Sequence, residues 1–403
     1  MTLLSDLGWD QSWAAAFETL AREGEVPGRV VLEHNHVYRV LTPMAPKTTS
    51  GVVSEKRHPT SFSDDGEIFE TLAELAGKVK YEAAGRSAMP AVGDWVTLRP
   101  VTAEGARPQI RAVLPRRSTF SRRAPGRETE EQIVAANIDT IFLVSGLDQD
   151  FNPRRIERYL VMARASGAQP VIVLNKADLS ETLDADIELV AELAPGVPIH
   201  AVTAKSQSAD LSAGLPAGAL AEAGALAKAD VSTLAAYLGR GKTVALLGSS
   251  GVGKSTIINA LTGTEGLRTA EVREIDGRGR HTTVHRQLIV LAGGGLLIDT
   301  PGMRELQLWE EGERLDMVFP EIDAIDGECR FRDCQHDKEP GCAVKAAVAE
   351  GTIDPTRYES YLKLMNERKA LVDQQEVRSQ IEQKRHARIG SKAMKALKKE
   401  RGR

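Results

Sequence analysis

The feature that most constrains the fold is the segment Gly248-Ser249-Ser250-Gly251-Val252-Gly253-Lys254-Ser255, which matches the phosphate-binding P-loop pattern at every fixed position. The apolar run Thr243–Leu247 before it predicts a buried strand, and Thr256–Leu261 after it predicts a helix. In this setting, backbone N–H groups surround phosphate oxygens at the start of the helix. We expect Lys254 to neutralise nucleotide phosphates and act in catalysis, Ser255 to ligate Mg²⁺, and Thr256 to complete the phosphate-binding segment.

Buried strands alternate with helices on the N-terminal side of this loop and resume after it, which predicts a parallel α/β sheet over residues 130–310. The predicted strands are Ile138–Val144, Val171–Leu174, Pro198–Val202, Thr243–Leu247 and Gly295–Ile298. The predicted helices are Pro153–Ala165, Ile187–Leu193 and Thr256–Leu261. Ligands of open α/β sheets bind at the carboxyl ends of the strands, so the segments that follow each strand are candidate site residues.

Asn175-Lys176-Ala177-Asp178 directly follows one of these strands and has the residues of a guanine-reading loop. The Asp178 carboxylate can accept hydrogen bonds from the ring N–H and the exocyclic amine of guanine, and adenine has neither donor on that edge. Asn175 can support the loop, and the stem of Lys176 can pack on the nucleoside. Thr203-Ala204-Lys205 follows the next strand, where a second guanine-contacting loop belongs.

Asp299-Thr300-Pro301-Gly302 follows the strand Gly295–Ile298. At this position, GTPases place an Asp that is linked to Mg²⁺ and a Gly that senses the γ-phosphate. We expect Asp299 and Gly302 to take these two roles. The base-reading segments come before the P-loop along the chain, and the Asp299 segment comes after it. This order is the signature of circularly permuted GTPases.

Short strand-like runs separated by Gly, Pro and Ser clusters predict a small β-barrel over residues 28–125, after an N-terminal extension of residues 1–27. The strand-like runs are Arg29–Leu32, Val37–Leu41, Asp94–Leu98 and Ile110–Leu114. A loop insertion is expected between Pro43 and Tyr81, with apolar residues at helical spacing from Ile68 to Leu75.

The chain has three cysteines, Cys329, Cys334 and Cys342, all in one short stretch that also contains His336. Three thiolates and one imidazole form the ligand set of a closed, structural zinc site, and an odd count does not suit a disulfide framework. We expect one Zn²⁺ in a helical domain over residues 311–380, followed by a basic tail over residues 381–403.

Composition sets the cellular context. The net charge of −4 is mild, no uncharged apolar run approaches the roughly 18 residues that span a membrane, and the N-terminus does not resemble a signal peptide. Cytoplasm without membrane association is the default expectation, and the absence of a self-association pattern makes the monomer the default state.

The combination of barrel, permuted GTPase region and Cys3His segment resembles the RsgA (YjeQ) family of small-ribosomal-subunit-dependent GTPases. Local strings agree, namely Ala135–Asp139, Gly279–Thr283 and Asp299–Glu305. The resemblance implies a multidomain α/β protein with an N-terminal OB-type β-barrel, a circularly permuted P-loop GTPase domain and a C-terminal zinc-binding helical domain. It also implies GTP and GDP as ligands, binding to the small ribosomal subunit and its rRNA late in maturation, and contact with other assembly factors.

The residue that orients the attacking water is expected outside its usual position directly after the Asp299–Gly302 segment. Met303 stands where many GTPases place a Gln that orients the attacking water, and a thioether cannot take that role. The family resemblance favours His281 as the replacement. Thr282 and Thr283 lie beside it in the expected first switch, one of them is expected to reach Mg²⁺ and the γ-phosphate, and we assign this role to Thr283. The alternative for His281 is a histidine of a flexible loop with a structural or RNA contact.

Two segments are candidates for RNA contact. Arg116–Arg123 joins basic residues to Phe120 at the end of the barrel, and the tail from Lys384 to Arg403 is basic apart from Glu400. Such a tail is also typical of a solvated or disordered chain end.

Three rival functions stay open at this point. One is a permuted GTPase acting on another RNA or on the large subunit, and one is a zinc-stabilised RNA-binding adaptor with a weakly active nucleotide site. The third is a P-loop ATPase, against which Asp178 argues because adenine would leave its carboxylate unpaired.

Overall fold

The computed structural model describes residues 3–34, 37–43, 67–82, 85–100, 106–123, 131–149, 151–204, 230–262, 286–299, 318–367, 369–370 and 373. The chain forms two compact units, of which the first contains Met1–Arg122 with Gln132–Leu306 and the second contains Arg123–Glu131 with Gln307–Arg403. None of the helices in the described part of the chain combines the length and apolar character that a bilayer-spanning segment needs.

A closed five-stranded barrel begins the first unit, and it confirms the OB-type prediction. Its strands are β1 (Val26–His34), β2 (Val37–Thr42), β3 (Phe69–Leu75), β4 (Trp95–Arg99) and β5 (Gln109–Val113). They pair in the order β1-β2-β3-β5-β4, and β4 returns to β1 to close the ring. Alternate residues such as Val40, Val96 and Ile110 fill the interior, as the two-residue period of a strand requires.

The predicted helical stretch Ile68–Leu75 is wrong, because residues Phe69–Leu75 form the barrel strand β3. This strand pairs with β2 over Phe69–Glu74 and with β5 at Glu74 and Leu75, while Leu72 points outward with 46% of its surface exposed. In so short a run, the spacing of the apolar residues fits the period of a helix and that of a strand equally well. The strand forms because it can pair with the open edge of β2. A short helix α2 (Gly77–Glu82) follows, and residues 44–66 of the expected insertion lie outside the described ranges.

The α/β part of the first unit is a six-stranded sheet. Its strands are β8 (Thr140–Gly146), β9 (Gln169–Asn175), β10 (Ile199–Val202), β11 (Thr243–Leu247), β12 (Gln287–Val290) and β13 (Leu296–Asp299). They lie in the order β10-β9-β8-β11-β13-β12, parallel except for β12. The helices are α3 (Pro153–Ala165), α4 (Leu183–Leu193) and α5 (Lys254–Thr262), with a 3-10 helix over Val231–Tyr237. The predicted strands and helices of this part match these elements within a few residues.

The strand order shows the permutation in space. The P-loop strand β11 lies at the centre, with β13 on one side and β8 on the other. The strands β9 and β10, which precede the loops predicted to contact guanine, continue the sheet beyond β8, although they precede β11 in the chain. Chain order therefore differs from spatial order, while all the ligand-facing loops share one edge of the sheet.

The barrel and the sheet join directly within the first unit. Leu32 of β1 pairs with Gln287 of β12, which makes one continuous eleven-stranded sheet. A separate two-stranded sheet consists of β6 (Thr119–Arg123) and β7 (Glu131–Ala136).

Residues 3–20 form what we call the N-terminal clasp, a 3-10 helix over Leu4–Leu7 and helix α1 (Gln11–Leu20). Asp10 caps α1 through its carboxylate, which accepts from two backbone N–H groups. The rings of Trp9 and Trp13 pack against Trp95 of the barrel, with centroids 4.7 and 6.3 Å from the Trp95 ring. On its other side the clasp reaches the sheet, because Asp6 pairs with Arg240 in the turn before β11.

The second unit contains helices α6 (Pro320–Asp326) and α7 (Ala343–Ala349) and a further helix over residues 355–367. Phe319, Ile322 and Val344 are buried among them. The loop between α6 and α7 carries the three cysteines.

Candidate nucleotide site and metal cluster

The P-loop has the geometry that its glycines predict. Gly251 and Gly253 have φ values of +86° and +96°, in the left-handed region that glycine tolerates. A Cβ on Gly248 would lie 2.4 Å from the Val144 carbonyl oxygen, and a Cβ on Gly253 would lie 2.2 Å from Nδ2 of Asn175. The P-loop can therefore approach both β8 and the Asn175–Asp178 loop only without side chains at these positions.

Lys254 lies across the P-loop. Its Nζ donates to the Gly248 carbonyl oxygen at 2.7 Å and to the Ser249 carbonyl oxygen at 2.6 Å. Burial lowers the pKa of Lys254 and raises the pKa of Asp299, and the attraction between the two charges opposes both shifts. Lys254 follows the loop after β11 and Asp299 ends the neighbouring strand β13, so the cation and the carboxylate lie at the same edge of the sheet. Ser255 is exposed one residue further along α5, and its hydroxyl with the Asp299 carboxylate gives the hard oxygen donors that suit Mg²⁺.

Asn175 connects three loops at the edge of the sheet. Its side chain is buried, Nδ2 donates to the Val252 carbonyl oxygen at 2.8 Å, and Oδ1 accepts from the Ala204 N–H at 3.1 Å. The P-loop, the Asn175–Asp178 loop and the Thr203–Ala204 loop are therefore held together by one amide. Asp178 lies at the surface of the same turn, which the Ala177 N–H ties to the Val202 carbonyl oxygen at 3.1 Å.

Four of the predicted site residues lie outside the described residues, namely Lys205, His281, Thr283 and Gly302. Their assigned roles stay predictions. Met303, on which the expectation of an unusual catalytic group rests, is outside as well.

Two side chains that contact predicted site residues have no motif in the sequence, Asp148 and Arg155. Asp148 follows β8, and its Oδ2 lies 2.5 Å from Nζ of Lys176. Arg155 lies in the first turn of α3 and donates from Nη1 to the Ser249 hydroxyl at 2.9 Å. The only available signal was position, since both follow the carboxyl end of a central strand.

The cysteines and His336 form the cluster that their spacing predicts. The ligand atoms of Cys329, Cys334, His336 and Cys342 all lie within 4.8 Å of one another. The Sγ atoms of Cys329 and Cys342 are 3.9 Å apart, close to the edge of about 3.8 Å in a tetrahedron with Zn–S bonds of about 2.3 Å. Burial, reinforced by the neighbouring thiols, raises the pKa of Cys334 to about 11, and a bound cation would favour its thiolate form. The cluster fits a structural zinc ion.

The imidazole of His336 is oriented from both sides. Nδ1 faces the cysteines, 3.4 Å from Sγ of Cys342, while Nε2 lies 3.1 Å from Oδ1 of Asp326 at the end of α6. His336 has φ +58°, and the Tyr358 hydroxyl donates to its carbonyl oxygen. Nδ1 is therefore the nitrogen that faces the metal position, while Nε2–H donates to the Asp326 carboxylate.

The predicted RNA-contacting role of Arg116 and Phe120 is wrong. Arg116 donates to both carboxylate oxygens of the buried Asp94 at 2.8 and 2.7 Å and also to two backbone carbonyl oxygens. The Phe120 ring is buried, so it cannot stack on a base. Arg117 pairs with Asp10 and lies over the Trp13 ring at 4.3 Å. A sequence pattern of basic and aromatic residues does not show whether their side chains face solvent or the core. Here these side chains contact residues of the barrel and of the clasp.

The spatial order of the strands and the P-loop between β11 and α5 define a circularly permuted P-loop GTPase. A model of the RsgA GTPase family matches residues 113–309. The chain belongs to the RsgA GTPase family, since the small ribosomal subunit biogenesis GTPase RsgA of Opitutus terrae is 46% identical over 375 residues, 90% of this chain and 89% of that protein.

Solved structures agree on the fold. YjeQ from Thermotoga maritima is 27% identical with a TM-score of 0.55, covering 86% of this chain and 99% of that one. YloQ, described as a circularly permuted GTPase, is 24% identical with a TM-score of 0.53, covering 87% of this chain and 96% of that one.

Proposed function

We propose that this protein binds the small ribosomal subunit, acts late in its maturation, and hydrolyses GTP to GDP and phosphate faster when bound to the subunit. The observation that carries the proposal is the joint held by Asn175, which brings a guanine-reading loop and a complete P-loop to one edge of the sheet. The subunit assignment rests on the printed name of a relative that matches 90% of the chain.

The nucleotide is held at both ends. Asp178 accepts from guanine, the stem of Lys176 packs on the nucleoside, and Thr203, Ala204 and Lys205 complete the base pocket. The β- and γ-phosphates occupy the loop formed by Gly248, Ser249, Ser250, Gly251, Val252 and Gly253, followed by Lys254, Ser255 and Thr256. Ser255, Thr283 and Asp299 would hold Mg²⁺, which supplies positive charge at the phosphates, and Gly302 senses the γ-phosphate.

Hydrolysis is the attack of water on the γ-phosphorus, with GDP leaving and phosphate released. Lys254 stabilises the charge that develops on the phosphate oxygens. His281 orients the attacking water in place of the Gln whose position Met303 occupies, and docking on the subunit stimulates this step. GTP therefore marks the bound state and GDP the released one.

Several finer assignments belong to this proposal. Cys329, Cys334, His336 and Cys342 hold one Zn²⁺, the tail from Lys384 to Arg403 contacts rRNA phosphates, and the protein works as a cytoplasmic monomer beside other assembly factors.

The test is GTP turnover by the full chain with and without purified small subunits, with ATP and large subunits as controls. We expect slow intrinsic turnover, a large stimulation specific to GTP and to the small subunit, and loss of the stimulation in His281→Ala. Turnover that the small subunit leaves unchanged would refute the ribosomal assignment and leave the GTPase fold.

A further inference from the structure

The connection that leads from Asp148, just after β8, to Arg155, in the first turn of α3, contacts both halves of the proposed nucleotide site. Asp148 at its start pairs with Lys176 of the guanine-reading loop, and Arg155 at its end donates to Ser249 of the P-loop. A single short segment thus touches the loop for the base and the loop for the phosphates.

The position of Asp148 is fixed by the backbone around it. The Leu147 N–H donates to the Asn175 carbonyl oxygen at 2.8 Å, which places the next residue beside Lys176. Gly146 leaves room for the carboxylate, since a Cβ there would lie 3.2 Å from Oδ1 of Asp148. The Phe151 N–H then donates to the Asp148 carbonyl oxygen at 2.9 Å and closes a turn that leads into α3.

Lys176 needs such a partner. It has φ +63°, an uncommon conformation for a residue with a Cβ, and its long side chain has several rotatable bonds. A lysine that must lie along a nucleoside loses rotamer freedom on binding, which costs affinity unless the side chain is already held.

We propose that Asp148 is a positioning residue for guanine-nucleotide binding, which holds the Lys176 ammonium so that the lysine stem is preorganised against the nucleoside. The ammonium keeps Asp148 as its partner when the nucleotide binds, and the methylene stem makes the contact. Arg155 anchors the same segment to the P-loop, so the carboxylate has a fixed place relative to the phosphates. This inference rests on the role of Lys176 given under the proposed function.

The size of the effect follows from exposure. The side chains of Lys176 and Asp148 are 29% and 27% exposed, so solvent screens the pair in part. An ion pair of this kind is worth up to about 1 kcal/mol, which corresponds to roughly a three- to fivefold change in affinity. Because the contact is with the nucleoside, the change should be equal for GDP and GTP.

The experiment is a titration of the full chain with fluorescent GDP and with a non-hydrolysable GTP analogue. Asp148→Asn should raise both Kd values by the same factor, about three- to fivefold. Asp148→Glu should restore most of the affinity. Asp184→Asn, which removes the same charge from the exposed first turn of α4, should bind like the wild type.

The decisive comparison uses Lys176→Gln as a second background. If Asp148 acts through Lys176, Asp148→Asn adds no further loss once the lysine is gone. An unchanged Kd in Asp148→Asn, or a full loss that persists beside Lys176→Gln, would overturn the inference. Failure of the wild type to bind GDP would instead refute the proposed function, so the two failures are distinguishable.

Discussion

At the scale of single residues, Asp326 orients His336 in the metal cluster, although Asp326 is not one of the four candidate ligands. Nε2 of His336 meets the Asp326 carboxylate, and this contact leaves Nδ1 for the metal. Carboxylate partners of this kind fix the tautomer and increase the basicity of the coordinating nitrogen. Asp326 lies three residues before Cys329, and the ligand spacing alone gives it no role.

We expect Asp326→Asn to weaken zinc binding by about tenfold, the lower end for such partners, because the Asp326 side chain is 54% exposed. The measurement is chelator competition against the zinc-loaded full chain. Asp323→Asn, on the same helix α6 and exposed, is the matched control and should keep the wild-type affinity. Equal affinity in Asp326→Asn and the wild type would show that His336 is oriented by its backbone alone.

At the scale of elements, the P-loop needs glycines for two reasons, namely backbone conformations with positive φ and close approach to neighbouring atoms. Gly251 and Gly253 both have positive φ values, yet their surroundings differ. A Cβ on Gly251 has no atom within 4 Å, whereas a Cβ on Gly253 would collide with the amide of Asn175. That amide connects the P-loop to the Asn175–Asp178 loop and to the Thr203–Ala204 loop.

Gly253→Ala should therefore abolish nucleotide binding, with a loss of at least about a hundredfold, because the P-loop or Asn175 must move. Gly251→Ala has only the backbone cost of about 1–2 kcal/mol and should lose about five- to thirtyfold in affinity. Titration with fluorescent GDP gives both values, and thermal melting checks that each variant folds. Similar losses in the two variants would contradict the steric argument.

Prediction from the sequence succeeded for the elements whose residue pattern is compatible with only one local structure. The P-loop, the buried strands around it and the cysteine cluster each carry a pattern that only one local structure satisfies. It failed at β3, where a run around Leu72 fits a helix or a strand until the neighbouring strand is known. It also failed for Arg116, whose partner Asp94 is 22 residues away, because no local pattern records a contact across the barrel.

At the scale of the whole first unit, one buried arginine joins three parts of the chain. Arg29 of β1 is 2% exposed and donates to the Leu7 carbonyl oxygen of the clasp, to the Asn137 carbonyl oxygen at 3.2 Å and to Oγ1 of Thr243 at 2.8 Å. The barrel, the N-terminal clasp and the sheet that carries the P-loop therefore meet at one guanidinium. Burial lowers the pKa of Arg29 to about 10, so the group stays charged at neutral pH, where the attraction of Asp139 and Asp94 offsets part of the burial cost.

Arg29→Met tests whether this junction stabilises the unit. Methionine keeps an apolar stem beside Trp95 but leaves the buried acceptors of Leu7, Asn137 and Thr243 unpaired, which should cost about 2–4 kcal/mol. Urea unfolding followed by tryptophan fluorescence is a suitable measurement, because Trp9 and Trp95 lie at the junction. Arg107→Met removes an exposed barrel arginine paired with Glu74 and should cost less than about 0.5 kcal/mol. A loss in Arg29→Met no larger than in this control would mean that the barrel is held to the sheet by the β1–β12 pairing and the aromatic packing instead.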